Sequence, residues 1–77
     1  SQIGHCLGAC GALEAVISVL SLKNDIIPST INLHNPDPKC GKFNFVPKKP
    51  INKKMKNIIS NSFAFGGNNT VLAFGKL

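Results

Sequence analysis

GACGALEAVISVLSLK, residues 8–23, is the stretch on which the fold class turns. Leu13, Val16, Ile17 and Leu20 recur three and four positions apart, so a helix sets them on one face, and that face is expected to be buried. Ala9, Ala12 and Ala15 add helix propensity and a thin profile that permits close packing. The β-branched Val16, Ile17 and Val19 cost some propensity, so burial rather than intrinsic preference holds such a helix. Gly8 and Gly11 in the first turns each cost about 1 kcal/mol relative to Ala, which predicts close backbone approach by another element or a ligand. Lys23 and Asn24 end the helix, with a cation near its negative pole.

Downstream, all five prolines (Pro28, Pro36, Pro38, Pro47, Pro50) fall between Asp25 and Pro50. They predict an extended, turn-rich connection with short strand pieces at Ile31–Leu33 and Phe43–Val46. Seven lysines lie between Lys39 and Lys56 with no acid among them, which reads as a solvated surface rather than a binding patch. Residues 57–65 and 70–74 are apolar runs joined by Gly66-Gly67-Asn68-Asn69, residues that tolerate positive φ, so an antiparallel hairpin is expected. Helix, long loop and terminal strands give an α/β class. On its own such a chain leaves sheet edges and a helix face bare, as one flank of a larger mixed unit would.

The 77 residues (8.2 kDa) bound the chain to one small domain or a piece of a larger one. A chain of that length buries only roughly 60–65% of its unfolded surface, which leaves little room for a deep enzymic pocket. At 43% apolar and 16% charged it is no disordered tail. The net charge of +6 first suggests nucleic acid. All nine basic residues are lysines, however, and most of the phenylalanines stand apart from them, which is poor for bidentate contacts or base stacking. A small Lys-rich nucleic-acid-binding or interaction domain is the alternative reading. Three cysteines (Cys6, Cys10, Cys40) cannot pair completely, and without an export signal they predict reduced thiols in a cytoplasmic compartment, bacterial cytosol or organelle matrix. The longest apolar run, Ala15–Leu22, is too short to span a bilayer, so no membrane partner is expected.

His5, Cys6, Cys10, His34 and Cys40 lack zinc-knuckle spacing, and no metal or other cofactor is expected. Cys6 and Cys10 are expected to share a helix face. A helix start favours thiolate, so a cysteine nucleophile with His5 as base is one reading, and inert core thiols are the preferred one. His5, just after Gly4 at a helix start, is expected to be neutral, because free N–H groups disfavour imidazolium. It is either a capping or packing residue or a donor to charge developing on a substrate oxygen. Phe63-Ala64-Phe65-Gly66-Gly67 is likewise either core and turn, or a glycine-rich oxyanion segment with Phe65 as a gate.

Taken together, four ordered segments resemble the C-terminal end of the β-ketoacyl-[acyl-carrier-protein] synthases, type II above all. They are Gly4-His5 with residues 7–15; residues 27–33 with Asn35-Pro36-Asp37; Phe45-Val46-Pro47; and residues 61–69. The resemblance implies a thiolase-like α/β/α/β/α parent fold in two related halves. Residues 1–77 would be an incomplete C-terminal part, supplying the last long helix and final strands. It also implies an acyltransferase: a cysteine accepts an acyl chain from carrier protein, malonyl-carrier protein loses CO2, and the enolate attacks the thioester. By resemblance His5 is the second of two enolate-stabilising histidines, and Phe65 is the gate whose backbone N–H completes the oxyanion hole. Glu14, Gly66, Gly67 and Asn69 are supporting residues. The family's lysine partner of Glu14 would sit just before Ser1.

The family pattern is departed from at Ile3 (usually Thr or Ser), His34 (commonly Asp), Ala64 (a glycine), Asn68 (Thr) and Thr70 (Gly or Ala), which bears on loop mobility. Nothing in the 77 residues resembles the nucleophile segment or the first histidine. The resemblance therefore implies a chain inactive alone, whose parent, a homodimer, uses acyl carrier protein with acyl and malonyl thioesters. Bare strand edges predict a homo-oligomer or domain-swapped self-association.

Overall fold

A computed structural model describes residues 1–77. A single 3-10 turn, Leu7–Ala9, leads into helix α1, Cys10–Asn24. Short strands β1 (Ile26–Ile27) and β2 (Ile51–Asn52) pair antiparallel, and β3 (Asn57–Ala64) and β4 (Asn68–Gly75) form the terminal hairpin. The mixed α/β class and the antiparallel hairpin match the sequence expectation.

The helix begins two residues later than the pattern predicts, because Leu7 at φ +52° breaks the helical path and Gly8 stays in the 3-10 turn. Its end is an αL cap at Asp25 (φ +55°), whose N–H donates to the Ser21 carbonyl, while the Asn24 side chain donates to the Leu20 carbonyl at 2.8 Å. Lys23 sits in the last turn as expected.

The buried face differs from the one predicted. Leu13, Val16, Ile17 and Leu20 are all exposed, whereas Gly11, Glu14, Ala15, Ser18, Ser21 and Leu22 are covered. α1 packs on β3 and β4 through this small-residue stripe, against the half-buried Ile58, Ser60, Ser62 and Phe74. Alternation along β3 turns Ile59 and Phe63 outward on the opposite face of the hairpin. Periodicity finds an apolar stripe but does not say what will cover it. Here the covered positions are mostly small side chains, and Leu13, Val16, Ile17 and Leu20 keep 38–56% of their surface exposed. Gly8 and Gly11 do not mark close contact either, since a Cβ at either position would meet nothing within 4 Å.

The proline-rich connection also differs in detail. Ile31–Leu33 is a turn and loop, and Phe43–Val46 forms no ladder; the strand pieces lie outside both, as β1 and β2. Pro28 and Pro50 bound these pieces and lack the N–H that a longer ladder needs. Val46 and Lys48 at positive φ turn the chain between them. Thr30 carries what pairing remains, its N–H and Oγ1 donating to the Val46 and Phe45 carbonyls, both at 2.9 Å. Val46 is one of only two buried residues, Leu22 being the other.

Asp25 ties the far ends together. Its carbonyl accepts the Lys53 N–H at 2.8 Å, and its Oδ1 accepts the Met55 N–H at 2.9 Å and the Lys76 ammonium at 2.6 Å. This is the only ion pair, so the seven lysines from Lys39 to Lys56 stand without acidic partners.

The accessible surface is 6600 Å². A self-contained globule of 8.2 kDa exposes about 4,500 Å², so this chain shows about 2,000 Å² beyond that. Its radius of gyration, 13.5 Å, likewise exceeds the about 11.5 Å usual for its length. The helical run Leu7–Asn24 covers 18 residues and is long and apolar enough to cross a bilayer by length and composition, unlike the shorter Ala15–Leu22 run. Counting Gly8, Ala9, Gly11 and Ala12 as apolar produces that length, yet Glu14 stands inside it, hydrogen-bonded to the hairpin.

Candidate active site

Gly4 adopts φ +70°, a conformation open to glycine, and turns the chain so that His5 stands clear of the helix it precedes. Leu7, also at positive φ, carries the backbone back into the 3-10 turn. His5 and the hairpin end come together here: His5, Leu7 and Gly8 form one wall of an open cleft of 720 Å³, and Phe63, Ala64 and Phe65 form the other. Features 58 residues apart thus face one space.

The loop on the second wall is shorter than expected. Ala64 pairs with Asn68, so the turn is Phe65-Gly66-Gly67, and Asn68 and Asn69 belong to β4. Gly66 and Gly67 take φ +84° and +82°, the role foreseen for them, while the asparagines do not need it. Phe65 therefore sits in the turn itself, fully exposed, and its carbonyl accepts the Asn68 Nδ2 at 3.3 Å. Asn69 lies opposite Phe63 in the ladder, outside the residues that line the cleft.

His5 is not a helix cap, because its one hydrogen-bond contact is between Nδ1 and the Cys10 Sγ, at 3.3 Å. Cys10 Sγ in turn accepts the Cys6 N–H at 3.2 Å. The two thiols do not share a helix face: Cys10 opens α1, and Cys6 precedes the 3-10 turn. Sequence spacing alone does not reveal this contact between Cys10 and His5. A separation of five residues is not a helical contact distance, and only the reversal at Leu7 creates the approach. His34 and Cys40 do not join the cluster, and no three His, Cys, Asp or Glu side chains come together to hold a metal.

Glu14 lies one turn along α1 from Cys10, in a second cleft of 510 Å³ that also takes in Ser1, Cys6 and Cys10. Its carboxylate accepts the Ser62 Oγ–H at 2.8 Å, fastening the helix to the strand that leads to Phe63 and Phe65. Ser62 was not singled out in the sequence, although its place one residue before the phenylalanines is visible there. Asp25 lies away from both clefts and has a perturbed carboxyl. Its hydrogen bond from Lys76, then the one from the Met55 N–H, holds it below the ordinary carboxylate range. No lysine lines either cleft, and nothing in this arrangement favours a nucleic-acid partner.

Comparison with known proteins bears on the same residues. Residues 1–34 match the family described as Beta-ketoacyl synthase, C-terminal domain. Among curated proteins, the chain is 48% identical over 77 residues to the 3-oxoacyl-[acyl-carrier-protein] synthase 2 of Coxiella burnetii, covering 100% of this chain and 18% of that protein. It is 46% identical over 76 residues to the synthase 2 of Synechocystis sp., covering 99% of the chain and 18% of the relative. It is 41% identical over 74 residues to Nodulation protein E of Rhizobium meliloti, with coverage of 96% and 18%. The chain thus spans less than a fifth of the length of the curated relatives it matches.

Proposed function

We propose that this chain, similar to β-ketoacyl synthases along its whole length, is the C-terminal arm of a 3-oxoacyl-[acyl-carrier-protein] synthase and contributes one side of its reaction centre. On this reading residues 1–77 are an incomplete part of a thiolase-like domain, and the excess exposed surface is what the rest of that domain covers. The observation that carries the reading is the cleft shared by His5 and Phe63–Phe65, the two features that the proposed chemistry needs on one reacting group.

In the proposed reaction an acyl group is held as a thioester on a cysteine outside these 77 residues. A malonyl thioester on acyl carrier protein breaks its bond to the carboxylate carbon and releases CO2. The electron pair left behind forms an enolate, which attacks the acyl carbonyl; collapse of the tetrahedral adduct expels the cysteine thiolate and leaves the 3-oxoacyl product on carrier protein. His5 donates a hydrogen bond to the enolate oxygen. The Phe65 N–H, on an exposed glycine-flanked turn, is one donor to the tetrahedral oxyanion, and its ring gates entry. Gly66 and Gly67 give the turn its shape and Asn69 fixes its base in the ladder. Glu14 anchors the helix to β3 through Ser62. No metal or organic cofactor enters these steps.

The working enzyme acts in a reducing compartment, the cytosol or an organelle matrix, as a homodimer. The 77 residues alone perform no condensation and associate with one another through their bare faces. The test is a chimera in which this chain replaces the aligned stretch of the Coxiella burnetii synthase, assayed for condensation of an acyl thioester with malonyl-acyl carrier protein. The chimera is expected to be active, and His5→Ala within it to lower kcat about 100-fold or more with the fold intact. A folded chimera that keeps full activity with His5→Ala overturns the assignment.

A further inference from the structure

The contact between His5 and Cys10 has consequences of its own. A neutral imidazole carries its proton on one nitrogen and accepts with the other, and the partner of one nitrogen decides what the other offers. Here Nδ1 faces the Cys10 sulfur at 3.3 Å, and Nε2 has no partner in the chain. The sulfur already accepts the Cys6 N–H at 3.2 Å. Sulfur is a weak acceptor and the imidazole nitrogen a good one, so the arrangement is best satisfied by a chain of donors. It runs from the Cys6 N–H to the Cys10 sulfur, and from the Cys10 S–H to Nδ1.

We propose that Cys10 is a positioning residue for His5: its thiol donates to Nδ1, fixes the imidazole as the Nε2–H tautomer, and leaves a hydrogen-bond donor rather than an acceptor on the imidazole's open nitrogen. The opposite tautomer would leave that nitrogen an acceptor, repelled by negative charge on an oxygen. Backbone geometry makes the contact possible. The reversal at Leu7 folds residues 5–9 back over the first turn of α1, and Cys10, the first residue of that helix, meets both the ring and the Cys6 amide. Its usefulness for enolate chemistry rests on the role proposed above for His5; the tautomer itself does not.

The test is made on the chain as it stands, with its histidines labelled with nitrogen-15 and their ring nitrogens read by long-range proton–nitrogen correlation near pH 8. His5 is assigned by the signal lost in His5→Gln, which separates it from His34. The wild-type spectrum is expected to show an unprotonated Nδ1 and a protonated Nε2 in a single tautomer. Cys10→Ser, which keeps an O–H donor, is expected to retain that pattern. Cys10→Ala is expected to shift the two nitrogen signals toward each other as the tautomers exchange. A protonated Nδ1 in the wild type overturns the proposal whether or not either variant folds, and so does a folded Cys10→Ala chain with the wild-type pattern. An active chimera alongside either result would leave the proposed function standing and remove only the role of Cys10. The expected tautomer alongside an inactive chimera would do the reverse.

Discussion

Substituting Val16→Glu and Leu20→Lys together probes the open face of α1. These side chains are 56% and 51% exposed, so neither supports the packing on the hairpin, and a Glu four residues before a Lys adds about 0.2–0.5 kcal/mol to a helix. The double variant is therefore expected to keep the wild-type circular dichroism. Its effect falls on association. Burying a Val or Leu completely contributes about 1.5–3 kcal/mol, and about half of each side chain remains to be buried here. In a two-fold pair of chains the two positions count twice, which gives about 3–6 kcal/mol, or roughly 10²–10⁴-fold in the dissociation constant. Sedimentation equilibrium over a range of concentrations measures this directly. The wild type is expected to be associated at tens of micromolar, as about 2,000 Å² of surplus surface requires. The double variant should shift to monomer by at least the lower figure. A wild-type chain that sediments as a compact monomer refutes the reading of the surface, and a folded double variant that associates as tightly as the wild type refutes the choice of face.

Ser62→Ala removes the donor to Glu14 and leaves a half-buried carboxylate one partner short; unfolding in urea should show a loss of about 1.5 kcal/mol, and an unchanged midpoint would mean that the bond holds nothing. Asp25, held below its ordinary pKa by Lys76, contributes stability that is fully present above the unfolded carboxylate value and lost as pH falls through the lower folded one. Asp25→Asn should flatten the acid limb of thermal stability against pH below about 4, and the same slope in the variant would assign it elsewhere. Gly67→Ala places a Cβ at φ +82° with nothing nearby to clash, so its cost is conformational, about 1–2 kcal/mol, read as faster amide exchange next to the turn; exchange unchanged from wild type would count against a rigid turn.

The helix, the hairpin and the glycine turn were legible because each depends on local chemistry. Alternation and helical spacing act over a few residues, and Gly66-Gly67 takes positive φ whatever lies around it. What was misread depends on partners. The Leu13, Val16, Ile17 and Leu20 stripe gives the period of a helix correctly, but the covered face is set by what lies against it, and the small Ala15, Ser18 and Ser21 are the covered positions. The strand pieces slipped from Ile31–Leu33 and Phe43–Val46 to their neighbours because Thr30, rather than a run of β-formers, makes the cross-connection. At the candidate site, His5 and the Phe63–Gly67 segment were visible as residues. Their sharing of one cleft, and the Cys10 contact made through Leu7 at an unusual φ, required the fold.

The way α1 meets the hairpin also explains how distant segments reach one cleft without a closed core. Ala15, Ser18 and Ser21 form the covered seam of α1, and the Glu14–Ser62 bond pins the register of helix against strand at the end where His5 emerges. Asp25 clasps the opposite end through Met55 and Lys76. Between these two fastenings the helix has little freedom to slide, so the placement of His5 against Phe65 follows from two polar contacts and a small-residue seam. Val16 and Leu20 are left about half exposed. The same substitution logic separates the two functions: changes at Val16 and Leu20 act on what covers the chain, whereas changes at Ser62 act on the distance between the cleft walls.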